Sequence, residues 1–187
     1  MTTILTGVTS STGEVSVEDV EKSMLAENDF VTTVPTISLD FDLINAGKQP
    51  VTLLPGGAYF HHNDSFAMMR GGHLDICVLG AFQVSERGDL ANWHTGEADA
   101  IPAVGGAMDL AIGAKKTWVM MDLLTKQGQS KVVPECTYPL TGLACVSRIY
   151  TDLATLEVTH QGLRLIDVVD GLTHADLETL VGLKIQA

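Results

Sequence analysis

The sequence predicts an α/β fold in which a mostly parallel sheet is covered by helices. Three observations favour this fold class. Segments with helical spacing alternate with short apolar runs. The run "DICVLGAFQV" is too continuously apolar for a half-exposed strand. The small residues of "GGAMDLAIGAKK" are typical of a helix packed closely on a sheet. With 187 residues, we expect a single domain over residues 1–187.

Residues 1–41 form an atypical N-terminal segment that is rich in Thr, Ser and Glu and weakly patterned. One helix is predicted there at residues 17–25, with Ser16 as its cap and Asp19 in the capping-box position. The pattern becomes clearer from Asp42 onward.

The middle of the chain predicts two helices and two buried strands in alternation. "FAMMRGG" indicates a short helix that is entered at Asn63 or Asp64 and ends at Gly71. "DICVLGAFQV" predicts one strand, "GGAMDLAIGAKK" the second helix and "TWVMMDLL" a second buried strand.

The last quarter of the chain predicts a hairpin and a final helix. "ATLEVT" and "LRLIDVV" would pair around Gln161 and Gly162. "THADLETLVG" has Thr173 as helix cap, Leu177 and Leu180 on one face, and a glycine that ends the helix.

Composition argues against several classes of function. The net charge of −12 repels a nucleic-acid backbone, and no stretch approaches the roughly 20 apolar residues of a membrane helix. The three cysteines show no C-x-x-C spacing and predict neither a disulfide framework nor a zinc site. The N-terminus has no targeting pattern. We therefore expect a soluble cytoplasmic protein that binds neither nucleic acid nor membranes.

Common catalytic motifs are absent from the sequence, which contains no G-x-S-x-G, no G-x-x-x-x-G-K-[ST] and no G-x-G-x-x-G. "HHND", residues 61–64, offers three potential metal ligands. Adjacent side chains of an extended segment point in opposite directions, so we interpret this stretch as a polar cap of the following helix and predict no metal site.

Two further segments are candidate sites. The main-chain N–H groups of Gly105, Gly106 and Ala107 in "VGGAMDL" could bind an oxyanion, or the glycines could only allow close packing; spacing alone leaves both open. Glu86 in "SERGDLANW" follows a predicted buried strand and could be a base or a nucleophile. A solvated turn beside Gly88 is the favoured interpretation of that stretch.

Three long segments in series resemble the B subunit of the 3-oxoacid CoA-transferases. They are "DLINAGKQPVTLLPGGAYFHHNDSFAMMRGGHLDICVLGAFQVSERGDLANW", "IPAVGGAMDLAIGAKK" and "VPECTYPLTGLACVSRIYTDLATLEVT". The variants "HHNDSFAMMRGGHLD" and "DLANWHTGEADAIPAVGGAMDL" are most similar to the branch of the family that acts on 3-oxoadipate in aromatic-acid breakdown. The resemblance extends from Asp42 to about Val169.

The resemblance implies a layered α/β domain that pairs with an A subunit in a hetero-oligomer, with the active site between the two chains. It implies transfer of CoA from succinyl-CoA to 3-oxoadipate, with CoA thioesters as substrates and neither a metal nor an external cofactor. A glutamate of the B subunit would carry CoA as a thioester. The glycines of "VGGAMDL" match the family segment at this site, which favours Gly105, Gly106 and Ala107 as oxyanion or acyl-CoA-binding groups. Glu86 then helps to shape the active-site wall.

The resemblance also indicates where this chain departs from the family. The family nucleophile lies in a Ser-Glu-Asn-Gly segment, whose nearest trace here is "AENDF", with Glu27 in place but Ala26 and Asp29 at the serine and glycine positions. Either Glu27 is the nucleophile, or the chain has none and acts as an interaction and assembly protein. Leu123 stands where relatives tend to carry a histidine.

CoA phosphates need cationic contacts, which this acidic chain must supply locally or obtain from its partner. Four basic residues are possible donors but are not assigned, because surface solvation is the more common role: Lys115, Lys116, Lys126 and Arg148.

Overall fold

The structure is a computed structural model, and it describes residues 2–3, 58, 61–99, 101–102 and 105–187. The chain divides into two units, one of Met1–Thr6 with Phe66–Ala187 and one of Gly7–Ser65. Most of the second unit, including the predicted helix at residues 17–25, lies outside the described residues. The expectation of a single domain over residues 1–187 stays a prediction.

Ten strands and three helices are assigned within the described residues. In chain order they are β1 (Thr2–Thr3), α1 (His62–Arg70), β2 (Ile76–Leu79), β3 (Gln83–Ser85), β4 (Leu90–Ala91), α2 (Ala107–Gly113), β5 (Lys116–Met120), β6 (Val132–Val133), β7 (Val146–Tyr150), β8 (Ala154–Thr159), β9 (Gly162–Val168), α3 (His174–Val181) and β10 (Ile185–Gln186).

Seven of these strands form one sheet in the order β1-β2-β5-β7-β8-β9-β10. The central strands β2, β5 and β7 are parallel, as are β9 and β10, while the other three pairings are antiparallel. The α/β class predicted from the sequence is confirmed. One face of the sheet presents buried Cys77, Leu79, Val119, Ile149 and Leu156 to a core that also includes residues of all three helices.

The apolar run "DICVLGAFQV" forms two strands, so the prediction of a single strand is wrong. The strand β2 ends at Leu79, and β3 begins at Gln83 in a separate three-stranded sheet of order β4-β3-β6. Residues 80–82 cross between the sheets. The run stays apolar because both strands contribute to one core cluster, Leu79 from the first and Val84 from the second.

The first helix begins earlier than the sequence predicts. The carbonyl of His61 accepts the main-chain N–H of Asp64, and its Nδ1 accepts that of Asn63 at 3.2 Å. His61 therefore supplies the acceptors at the helix start, and "HHND" is mostly the first turn of α1 rather than a loop before it.

The C-terminal predictions are largely confirmed. The strands β8 and β9 form an antiparallel hairpin around residues 160–161. Thr173 and Asp176 form a reciprocal capping box at the start of α3, and Gly182 ends the helix with φ +74°. Of the two leucines expected on one face, Leu177 is buried and Leu180 is exposed, and Val181 is the second buried residue of the helix. An i, i+4 spacing aligns residues on one face as well as i, i+3 does.

Within the described residues, no helix is long and apolar enough to cross a membrane.

Candidate active site

The carboxyl ends of the three central strands meet at one edge of the large sheet. The strands β2, β5 and β7 run in the same direction and end at Leu79, Met120 and Tyr150. We call this the carboxyl edge, and the opposite side the amino edge. Ligands of open α/β sheets bind outside the carboxyl ends of the strands, so functional groups are expected here.

Contacts of α2 orient its first residues toward the carboxyl edge. The Cys77 thiol donates to the carbonyl of Leu110 at 3.4 Å, and the Thr117 hydroxyl donates to that of Ala111 at 3.1 Å. After α2 the chain passes into β5 at the amino edge, where the N–H of Lys116 donates to the carbonyl of Asp75. Because α2 runs opposite to the central strands, its N-terminus lies toward their carboxyl ends.

Gly105, Gly106 and Ala107 are therefore at the predicted edge. Gly106 is the N-cap of α2 and accepts the N–H of Leu110, while no side chain caps the helix. A Cβ added at Gly106 would lie 3.0 Å from the Phe66 ring, so the glycine also permits close packing. Gly105 is exposed with open space around it. Both of the alternatives left open by the sequence fit this geometry, and the oxyanion role stays a prediction.

The loops after β5 and β7 are tied together at the same edge. The N–H of Met121 donates to the carbonyl of Tyr150 at 3.1 Å, and the N–H of Leu123 donates to a carboxylate oxygen of Asp152 at 2.8 Å. The Leu123 side chain is completely buried in the core. This burial accounts for an apolar residue at that position.

Glu86 lies near the amino edge of the large sheet. It follows β3 of the small sheet, and its N–H bonds to the carbonyl of Val133 at 2.8 Å. The turn that contains Glu86 is followed by Gly88, whose carbonyl accepts the N–H of Val146. This bond anchors the turn to the amino end of β7. Glu86 and Arg87 line an open groove with the turn of the β8–β9 hairpin, which is also at the amino edge. The placement of Glu86 therefore gives no support to a role in shaping an active-site wall at the carboxyl edge.

The turn that contains Glu86 is a structural element. The Ser85 hydroxyl donates to Asp89 at 2.9 Å, and the other carboxylate oxygen of Asp89 accepts the N–H of Ala144 at 2.9 Å. Gly88 has φ +85° at a close approach to Val146. Together with the bond from Val146 to Gly88, these bonds tie the turn to the start of β7, which fits the turn interpretation of "SERGDLANW".

No group of three or more His, Cys, Asp or Glu side chains with the geometry of a metal site occurs among the described residues.

Lys115 pairs with Asp75 at 2.6 Å beside the amino end of β5. Arg148 lies 3.5 Å from Glu157, with its guanidinium over the Trp118 ring. Lys116 and Lys126 are exposed. Of these four basic residues, Lys126 alone lies in a loop that follows the carboxyl end of a central strand, the loop after β5.

The three cysteines are unsuited to nucleophilic chemistry. All three are free thiols, and burial raises the pKa of Cys136 and of Cys145 to about 11. Burial also raises the pKa of Cys77, whose thiol contacts Thr117. A thiolate is the reactive form, so these side chains are poor candidates to accept an acyl or CoA group near neutral pH.

We expect Cys136 and Cys145 to react with iodoacetamide at pH 8 at least ~10-fold more slowly in the folded chain than in urea, because the higher nucleophilicity of a high-pKa thiolate offsets part of its lower ionisation. A thiol of pKa about 11 is about 0.1% ionised at pH 8, against roughly a quarter for an ordinary thiol of pKa ~8.5. Peptide mass spectrometry after timed quenching measures both rates. Equal rates in the two states would show that burial does not suppress ionisation.

Comparison with known proteins identifies the family. The sequence profile described as "Coenzyme A transferase" matches residues 5–175. The chain belongs to the coenzyme A transferase family. The family resemblance predicted from the sequence is thereby confirmed, and the match begins well before Asp42.

Two bacterial relatives within this family are highly similar. One is the B subunit of 3-oxoadipate CoA-transferase from Pseudomonas putida, 69% identical over 146 residues, which are 78% of this chain and 68% of the relative. The protein of the same name from Acinetobacter baylyi is 64% identical over 143 residues, 76% of this chain and 66% of the relative. The chain therefore spans about two thirds of the length of these relatives.

The fold agrees with this family. A crystal structure of an acyl-CoA transferase from Escherichia coli O157:H7, in a thioester complex with CoA, aligns with a TM-score of 0.59. The alignment covers 69% of this chain and 29% of that chain at 20% sequence identity. At such identity the likeness shows the fold alone.

Sequence reasoning missed one set of residues at the carboxyl edge. Asn92 and Thr141 hold the main chain at Gly80, directly after β2. Asn92 stands in the quoted stretch "SERGDLANW", but neither composition nor periodicity indicates its partners, which are 12 and 49 residues away in the chain.

Proposed function

We propose that this chain is the B subunit of a CoA-transferase that moves CoA from succinyl-CoA to 3-oxoadipate. The observation that carries the proposal is the 69% identity over 146 residues to a protein of that name. In this proposal the chain works in the cytoplasm with an A subunit in a hetero-oligomer, and it uses CoA thioesters as substrates without a metal or other cofactor.

The proposed reaction proceeds through a glutamyl-CoA thioester. A glutamate carboxylate attacks the thioester carbonyl of succinyl-CoA, the C–S bond breaks, and a mixed anhydride and CoA thiolate form. The thiolate then attacks the glutamyl carbonyl of the anhydride and releases succinate. The carboxylate of 3-oxoadipate then attacks the glutamyl-CoA thioester, which forms a second mixed anhydride and releases CoA thiolate. The thiolate attacks the 3-oxoadipyl carbonyl of this anhydride, which gives 3-oxoadipyl-CoA and restores the glutamate.

We assign the nucleophile to Glu27, within "AENDF", and the oxyanion donors to the N–H groups of Gly105, Gly106 and Ala107. Glu27 lies outside the described residues. The placement of residues 105–107 at the carboxyl edge supports the second assignment, since donors fixed in advance stabilise a developing oxyanion. A site enclosed between two chains would also keep water from the anhydride.

Intact-mass spectrometry of the complex tests the proposal against the alternative of an assembly protein without a nucleophile. After incubation with succinyl-CoA, we expect an added CoA mass on this chain that survives mild acid and is lost after borohydride reduction. Persistent absence of the adduct from a correctly assembled complex would favour the assembly protein. Release of free CoA without an acceptor would instead indicate a thioester hydrolase.

A further inference from the structure

The side chain of Asn92 joins the two sheets at the carboxyl edge. Its Nδ2 donates to the carbonyl of Gly80 at 3.0 Å, and its Oδ1 accepts the hydroxyl of Thr141 at 2.6 Å. A carbonyl oxygen can only accept, so the amide nitrogen must face Gly80. Both ends of the amide are therefore used, and the side chain is held in one orientation.

Thr141 provides a rigid support for this orientation. Its hydroxyl also accepts the main-chain N–H of Asn92 at 3.1 Å, and its side chain is almost completely buried. The main chain of residues 141–142 pairs with Leu90 of β4, through bonds of 2.6 Å from Thr141 and 2.9 Å to Gly142. The bonds to the small sheet therefore fix the main chain that carries this hydroxyl, and the hydroxyl in turn orients Asn92.

The carbonyl held by Asn92 belongs to the first residue after β2. Residues 80–82 carry the chain from the large sheet into the small one, and the N–H of Phe82 is tied to the carbonyl of Ala91 at 2.9 Å. Gly80 is exposed and has no atom within 4 Å of the position of a Cβ. Packing on the Cβ side of Gly80 therefore does not confine the main chain, which the bond from Asn92 helps to fix.

We propose that Asn92 is a positioning residue for CoA transfer, which fixes residues 80–82 at the edge where the reaction takes place. This inference rests on the proposed function. Each step of the proposed reaction requires a bound acyl group and the glutamate to be held in a fixed relative position, and a displacement of about 1 Å can cost ~100-fold in rate. Asn92 acts through the main chain and needs no contact with the substrate.

Asn92→Asp separates this role from simple packing. The substitution keeps the size and the acceptor for Thr141 but replaces the Nδ2 donor with an oxygen that faces the Gly80 carbonyl. Gln186→Glu is the matched control, since Gln186 Nε2 donates in the same way to the carbonyl of Gln161 at 2.8 Å, near the amino edge. Thr141→Val removes the supporting hydroxyl, and Thr141→Ser retains it.

In the assembled complex, we expect Asn92→Asp to lower kcat by ~10- to 100-fold, with KM for succinyl-CoA within about threefold of wild type. Thr141→Val should show a smaller loss of the same kind, which Thr141→Ser restores. Hydrogen exchange should accelerate in peptides that cover residues 80–82 and stay unchanged in the α3 region. Gln186→Glu should leave kcat unchanged.

An unchanged kcat in Asn92→Asp would overturn the proposal, as would an equal loss in Gln186→Glu or faster exchange throughout the chain. A wild-type complex that assembles but does not transfer CoA would overturn the proposed function, and with it the catalytic part of this inference. In that case the exchange measurement alone still decides whether Asn92 fixes residues 80–82.

Discussion

Replacing Gly113 with alanine is expected to lower the free energy of unfolding by ~3 kcal/mol or more. Gly113 is the last residue of α2, where the helix crosses the end of α1. A Cβ at this position would overlap the main-chain carbonyl of Met69 and lie 2.7 Å from its carbon atom. A main chain cannot turn away as a flexible side chain can, so one of the two helices must shift.

Thermal unfolding measures the effect, and ~3 kcal/mol corresponds to a fall of roughly 6–12 °C in Tm for a chain of this size. Gly105→Ala is the matched control, because no atom lies within 4 Å of the added Cβ. We expect its Tm to stay the same or rise slightly. A Tm for Gly113→Ala within about 2 °C of wild type would contradict the close helix crossing.

Replacing Glu27 with glutamine is expected to abolish both the CoA adduct and CoA transfer, with a loss of at least ~1,000-fold in kcat. The amide keeps the size of the side chain but lacks the anionic oxygen that would attack the thioester in the proposed mechanism. Intact-mass spectrometry with succinyl-CoA and the transfer assay measure the two consequences on the same preparation.

Glu14→Gln is the control for Glu27, because it makes the same chemical change within the same N-terminal segment. It should leave both the adduct and the rate unchanged. Full activity in Glu27→Gln would remove this residue as the nucleophile, and peptide mapping of the adduct would then identify the residue that carries CoA.

Local signals predicted the C-terminal third of the described fold well. A glycine turn between two β-rich runs fixes the β8–β9 hairpin, and Thr173 with Asp176 fixes the start of α3. Each feature depends on residues close in sequence, so the chain encodes it directly. Leu180 was misplaced because two spacings of one helix were equally consistent with the pattern.

Sheet membership could not be predicted in this way. The apolar run from Ile76 to Val84 looks continuous, yet the chain passes from one sheet to the other at Gly80. Apolar character reports burial and does not tell which strand lies beside which. The same error placed Glu86 at the carboxyl end of a central strand, whereas it belongs to the small sheet near the amino edge.

The candidate site was predicted in part. The double glycine before an apolar helix indicated Gly105 and Gly106, and the family resemblance favoured a functional role. Asn92 was not predicted, because its role depends on the hydroxyl of Thr141 and the carbonyl of Gly80, which only the fold brings together.

The most direct test of the central claim is CoA transfer by this chain combined with the A subunit of a 3-oxoadipate CoA-transferase. The purified complex is incubated with succinyl-CoA and 3-oxoadipate, and 3-oxoadipyl-CoA is measured by liquid chromatography with mass detection. We predict 3-oxoadipyl-CoA and succinate in equal amounts, with none formed by either chain on its own. A stable complex that forms no 3-oxoadipyl-CoA, while an authentic B subunit does so under the same conditions, would contradict the proposed function.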